Sequence, residues 1–174
     1  MKKGIILIFT AILAISCNQQ KTGFVNTEKI VKEYKEMAVA QKKYGKLNDE
    51  MMGDLERKAQ SYQIKLDLYQ KNVSTMSRSE REQKEEELMT LRQGLQQEQQ
   101  GRSRQLQQES QGAIDSIIQK VKDHVKDYGE ENGYSYIYGQ NDAGSVMYGK
   151  EDLDLTDEIL KELNEGYTVK DTVN

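Results

Sequence analysis

The sequence holds one cysteine and one histidine, and these two bound its side-chain chemistry. A thiol can attack an electrophile, ligate a metal, form a disulfide or carry a covalent modification. Cys17 is placed for the last of these. It ends Gly4 to Ser16, an uncharged, mostly apolar stretch that comes after Met1, Lys2 and Lys3, and polar Asn18-Gln19-Gln20 stands directly behind it. A positive start, a short apolar run and a small-residue edge are the layout of a signal peptide. The run, about 13 residues, is shorter than the roughly 20 that a membrane-crossing helix needs, so a permanent span is not expected. Without this segment no thiol remains, which excludes an intramolecular disulfide and any metal site built from thiolates. His124 alone makes neither a metal cluster nor a Ser/His/Asp triad; among Val121, Val125 and Tyr128 it reads as a helix residue beside a packed seam. Asp152 and Asp154 suit capping and surface charge better than an acid/base pair, so an enzyme is not expected.

Leu13-Ala14-Ile15-Ser16-Cys17 resembles a bacterial lipobox, in which the cysteine is lipidated and becomes the first residue of the mature protein. It departs from the usual pattern in having Ala14 three before the cysteine, with Leu13 one step earlier. The plain alternative is an ordinary secretory signal that happens to end in cysteine. On the lipobox reading, residues 1–16 are the signal peptide and 17–22 a lipidated tether. The expected location is the periplasm, anchored by lipid to a bacterial membrane, with the inner leaflet of the outer membrane favoured. About six residues separate Cys17 from Gly23, which keeps the folded part of the chain within roughly 20 Å of the bilayer.

Composition points to long exposed helices. Proline and tryptophan are absent, aromatic residues make up 7% and charged residues 31%, and Glu, Gln, Lys and Leu are abundant. Loss of Lys2 and Lys3 leaves 23 of the 25 basic residues against 29 acidic ones, and no basic stripe with interleaved aromatics occurs; nucleic acid is not an expected partner.

Gly23 to Asn26 reads as a brief strand ending in a polar turn. From Met37 the period changes: Met37, Ala40, Tyr44, Leu47, Met51, Leu55, Ala59, Tyr62, Leu66, Tyr69, Val73 and Met76 recur in steps of three and four, one stripe of a long amphipathic helix. The stripe breaks at Ser74 to Gln83, where Ser79 and Glu82 match a capping box and predict a second helix. That helix carries Leu88, Leu91, Leu95, a polar interval through Gln99 and Arg102, then Leu106, Ala113, Ile117, Val121, Val125 and Tyr128. Two such helices form an antiparallel hairpin arm over residues 37–128 with its tip near 74–80, each leg roughly 60 Å long and projecting into solvent. Folding at about residue 77 sets Gly101 opposite Gly53 and Gly112 near Gly45. Each glycine costs the helix about 1 kcal/mol relative to alanine, so a hinge is expected at Gly45, Gly53, Gly101 and Gly112; the alternative is that they permit close helix approach.

After the arm, Tyr134 to Tyr138 and Ser145 to Tyr148 alternate around Gln140-Asn141-Asp142-Ala143-Gly144 and predict a β-hairpin. Asp154 to Tyr167 predicts a helix capped by Thr156, with Ile159, Leu160 and Leu163 inward and Gly166 as its stop. Residues 23–36 and 129–174 would then make a small β body with a C-terminal helix. Its open sheet edges call for self-association. The fold class is α+β, mostly α: a long antiparallel coiled-coil hairpin on a small β body that self-associates.

The order of elements, with "GFVNTEKIVKEY" at Gly23 to Tyr34 and "ENGYSYIYGQNDAGSVMYGKEDLDLTDEILKELN" at Glu131 to Asn164, resembles the Skp (OmpH-like) periplasmic chaperone family. The resemblance implies a homotrimer whose three arms enclose a cavity that holds unfolded outer-membrane β-barrel proteins, without ATP or cofactor. It also implies that Phe24, Val25, Tyr134, Tyr136, Ile137, Val146 and Tyr148 build the trimer body. The best-known members are strongly basic and soluble in the periplasm, whereas this chain has a sequence pI of about 5.2 and a candidate lipid anchor. Lys65 to Arg92 carries six basic residues (Lys65, Lys71, Arg78, Arg81, Lys84, Arg92) and six acidic ones (Asp67, Glu80, Glu82, Glu85, Glu86, Glu87), so no lipopolysaccharide site is carried over. A second reading from another class is a structural coiled-coil envelope lipoprotein, a tether or spacer that holds no client.

Overall fold

The computed structural model describes residues 20–168; Cys17 and the signal segment lie outside them. The chain runs β1 (Thr22–Asn26), α1 (Thr27–Glu33), α2 (Lys35–Asn72), α3 (Arg78–Glu131), β2 (Tyr136–Gln140), a 3-10 turn (Glu151–Leu153) and α4 (Thr156–Gly166). It is mostly helical, with two long helices and a small two-stranded sheet. The described residues divide into two compact units, 20–31 with 121–168 and 32–120.

In the smaller unit β1 pairs with β2 in parallel, Thr22 opposite Tyr136 and Asn26 opposite Gln140. A parallel pair requires a long crossover, and here residues 27–135 supply it. The predicted β-hairpin does not form, because residues 145–148 take no strand. After β2 a tight turn at 141–144, with Gly144 at φ 83°, sends the chain back over β1. A β-carbon on Gly149 would come within 2.3 Å of the Phe24 ring, so only glycine allows this crossing. The free side of β1 is then taken by Asp154, which bridges to Phe24, and by Leu155, whose N–H donates to the Phe24 carbonyl at 2.9 Å.

Helix α1, which alternation did not reveal, starts where a polar turn was expected: the Asn26 side chain accepts the Lys29 N–H at 2.8 Å and caps it. Thr156 is not the cap of α4. Leu155 is, and Thr156 is the first helical residue. Its buried hydroxyl accepts the Asn26 N–H at 2.8 Å and donates to Asp154, whose carboxylate also accepts the Thr156 N–H at 2.9 Å. Ile159, wholly buried, lies in the core of this unit with Phe24, Val25, Ile30, Tyr128, Leu155, Leu160 and Leu163.

The larger unit is built from α2 and the part of α3 up to residue 120, antiparallel through a turn at 73–77. α2 spans 38 residues, about 57 Å at 1.5 Å per residue. The capping box falls two residues before the predicted one: Glu80 accepts the Ser77 N–H at 2.8 Å and the Glu80 N–H donates to the Ser77 hydroxyl at 3.3 Å. Ser77 and Ser79 carry the same spacing to a glutamate, and Val73 to Ser77 complete the turn early enough for Ser77 to be used. Few side chains of this unit are fully buried, chiefly Tyr34, Met37, Ala40 and Met51 from one leg with Leu88 and Ile117 from the other.

Candidate functional site

The legs of the hairpin are pinned in register by cross-helix polar pairs. Lys120 meets Glu36 at 2.6 Å, Arg102 meets Asp54 at 2.6 Å, Lys58 meets Glu98 at 2.5 Å, Lys65 meets Glu87 at 3.4 Å, and the Tyr69 hydroxyl donates to Glu85. Glu36 is buried and fully engaged, since its second oxygen accepts the Tyr34 hydroxyl at 2.8 Å. A buried carboxylate without such partners would be costly.

Midway along, where the apolar seam of α3 lapses, Asp54, Lys58, Glu98 and Arg102 close a four-membered cluster. Besides its cross-helix partner, Lys58 reaches Asp54 at 3.2 Å and Arg102 reaches Glu98 at 3.1 Å. Arg102 and then Lys58 hold the Asp54 carboxyl below the usual carboxylate range; Lys58 and then Arg102 do the same for Glu98. Both cations are pushed upward in return, Lys58 chiefly by Glu98 and Arg102 chiefly by Asp54. The polar interval read from Gln99 and Arg102 is therefore a filled charged layer.

Outside the seam the arm exposes large apolar side chains, among them Met52, Ile64, Leu68 and Met89. Ile64 and Leu68 are four apart and form their own short ridge. Open hollows of about 500, 800 and 480 Å³ lie along the hairpin, lined by Tyr44, Met51 and Leu106, by Met52, Leu55 and Leu95, and by Tyr62 and Leu91. Sequence reasoning missed the exposed set because it tracked one stripe; the i,i+4 pair Ile64 and Leu68 was the available signal. A β-carbon added at Gly45, Gly101 or Gly112 would meet no neighbour within 4 Å, and at Gly53 it would meet only the end of Arg57 at 3.7 Å. Close helix approach does not require glycine at any of the four.

The smaller unit carries a second exposed surface. Tyr136 and Tyr138 project from β2 with their rings stacked at 5.9 Å, and Met147 and Tyr148 stand 89% and 82% exposed on the segment after it. A hollow of about 530 Å³ lined by Gly23, Phe24, Tyr138, Val146, Met147 and Tyr148 lies beside them. Of the residues assigned to self-association, Phe24 and Val25 are buried within this chain, Tyr134, Ile137 and Val146 are half-buried, and Tyr136 and Tyr148 face outward. Tyr138 and Met147 belong to the same face and were not singled out. Tyr134 packs on Tyr128, whose hydroxyl proton is held more tightly by burial and by the neighbouring Glu158 carboxylate. His124 Nε2 lies 3.1 Å from a Glu162 carboxylate oxygen, where α3 passes α4.

The chain enters this unit through a fixed residue. The Lys21 ammonium sits 3.9 Å from the centre of the Tyr134 ring and donates to the Asn132 carbonyl at 2.9 Å, while the Lys21 carbonyl accepts the Ser135 N–H at 2.7 Å. Among the described residues no helix is long and apolar enough to cross a membrane, and no group of three or more His, Cys, Asp or Glu could hold a metal ion.

Comparison with known proteins places this architecture. The Chaperone protein Skp of Yersinia enterocolitica is 27% identical over 161 residues, covering 87% of this chain and 92% of that protein. The crystal structure of an OmpH-like outer membrane chaperone from Caulobacter crescentus CB15 superposes with a TM-score of 0.77 over 85% of this chain and 86% of the other, a likeness of fold at 13% identity. The model of the family described as outer membrane protein (OmpH-like) matches residues 21–163, and the chain belongs to that family.

Proposed function

We propose that this protein is a periplasmic holdase chaperone that keeps unfolded outer-membrane β-barrel proteins soluble in a cavity between the helical arms of a homotrimer, without ATP or cofactor. Beside family membership, the observation that carries this reading is the arm itself: a hairpin with a thin buried seam and exposed Met52, Ile64, Leu68 and Met89 spread among charges. Many weak apolar contacts on a polar, well-hydrated surface can retain a chain that has no fixed shape. The outward face of Tyr136, Tyr138, Met147 and Tyr148, next to the outer edge of β2, suits self-association, since a two-stranded sheet gains stability when its edge is paired. Gly45, Gly53, Gly101 and Gly112 act as points of bending, a role supported by the open space around them. Cys17 carries the lipid that holds the protein at a membrane, most simply the inner leaflet of the outer membrane.

The test is dilution of a urea-denatured β-barrel protein into the purified chain. Suppressed aggregation at one trimer per client supports the holdase; unchanged aggregation favours the structural tether. An elongated trimer in solution is expected, and a compact monomer would end the cavity reading. Cys17→Ser should move the protein to the soluble periplasmic fraction, and retention at the membrane would remove the anchor.

A further inference from the structure

The apolar seam of the hairpin specifies its register only in part. Leu88 and Leu95, and Leu106 and Ala113, stand one heptad apart, so a shift of seven residues keeps some apolar residues facing apolar ones. The charged layer does not tolerate such shifts. In the observed pairing Asp54 faces Arg102 and Lys58 faces Glu98. Sliding α3 by seven residues in one direction sets Asp54 against Glu109 and Lys58 against Gln105; in the other it sets them against Leu95 and Leu91. A slide of four gives Leu106 and Arg102, or Glu98 and Gly94; a slide of three gives Gln105 and Gly101, or Gln99 and Leu95. No alternative restores an opposite charge to both, and several create like-charge pairs or leave a half-buried ion against leucine, which is unfavourable.

We infer that the Asp54, Lys58, Glu98 and Arg102 cluster is the central element of the register lock of the hairpin, deciding which residues of the two legs face each other. One heptad of slip would displace one leg against the other by about 10 Å. Surface ion pairs add little stability singly, so the effect of the cluster is selection among pairings, as a lone polar residue selects register in a coiled coil. Screening weakens it, so the lock loosens as ionic strength rises.

The experiment uses the full chain carrying Cys17→Ser, in which introduced cysteines are the only thiols. The pair Met51→Cys with Leu106→Cys reports the native register, and Met51→Cys with Ala113→Cys reports a slip of one heptad. Adding Asp54→Arg should lower the yield of the native intramolecular disulfide at least about threefold, raise the slipped one, and speed amide exchange over residues 92–112 roughly tenfold. Reversing all four charges together (Asp54→Lys, Lys58→Glu, Glu98→Lys, Arg102→Glu) re-forms every cross-helix pair and should restore the native pattern. Native yield and exchange unaffected by Asp54→Arg would overturn the lock, and so would a loss that the fourfold reversal does not rescue.

Discussion

Two regions of one chain are held together in different ways. In the smaller unit, cohesion comes from burial: Ile159 has no exposed surface, Thr156 only 2%, and the hydrogen bonds that matter join residues far apart in sequence, such as Asn26 with Thr156 and Phe24 with Leu155. In the hairpin of 32–120 few side chains are buried, and cross-helix charges do much of the matching. A core built on burial responds to lost volume and lost hydrogen bonds, whereas a thin seam laced with ion pairs responds to caps, helix propensity, salt and pH. One sequence thus sets a small fold with a buried core and a long one with a thin seam by changing which force dominates.

The largest expected effect falls on the first region. Ile159→Ala should destabilise the smaller unit by about 2–5 kcal/mol, read as a lower urea midpoint in tyrosine fluorescence, because a core cavity replaces a fully buried side chain. If the hairpin lost its helicity in the same transition, the contrast between the regions would fail. Thr156→Val keeps the shape but leaves the Asn26 N–H without its acceptor, at a cost of about 1–3 kcal/mol by the same measurement. In the hairpin, Ser77→Ala should cost about 1 kcal/mol and hasten exchange in the first turn of α3 while leaving the smaller unit unaffected. Gly112→Ala should have the opposite sign, stabilising α3 by up to about 1 kcal/mol and slowing local exchange, because the added methyl meets open space. The smallest effect is that of pH on the charged layer. Asp54 and Glu98 are depressed in the fold, so their contribution is complete above the unfolded carboxylate range, about pH 4, and is lost as pH falls through their folded values. Lys58 is raised, so its contribution is complete below about pH 10 and is lost only as pH rises through its folded value. Amide exchange over 92–112 should therefore quicken, after correction for intrinsic rates, only at the two extremes.

The long helices were legible because a period of three and four ran from Met37 to Met76 and again, across one polar interval, from Leu88 to Tyr128. Features that depend on partners distant in sequence were not. Ser145 to Tyr148 alternates like a strand, yet the place beside β1 that a third strand could fill goes to Asp154 and Leu155. Thr156 has the chemistry of a cap, but its hydroxyl is engaged by Asn26, which lies 130 positions away. Helix α1 was readable in principle: Ile30, Tyr34 and Met37 are spaced by four and three and are all buried. The charged layer was visible only as missing leucines, since its meaning depends on which residues of the other leg stand opposite.

The clamp on Lys21 has a bearing on where this protein can work. The ring contact and backbone bond fix Lys21 to the smaller unit, and Asn18, Gln19 and Gln20 are all that separate it from Cys17 in the sequence, where a lipid is proposed. Four residue steps reach about 14 Å at most. If the protein is moored there as proposed, it would patrol a surface and not a volume: its encounters would be confined to a thin layer, and clients would have to be delivered to that layer before it could meet them.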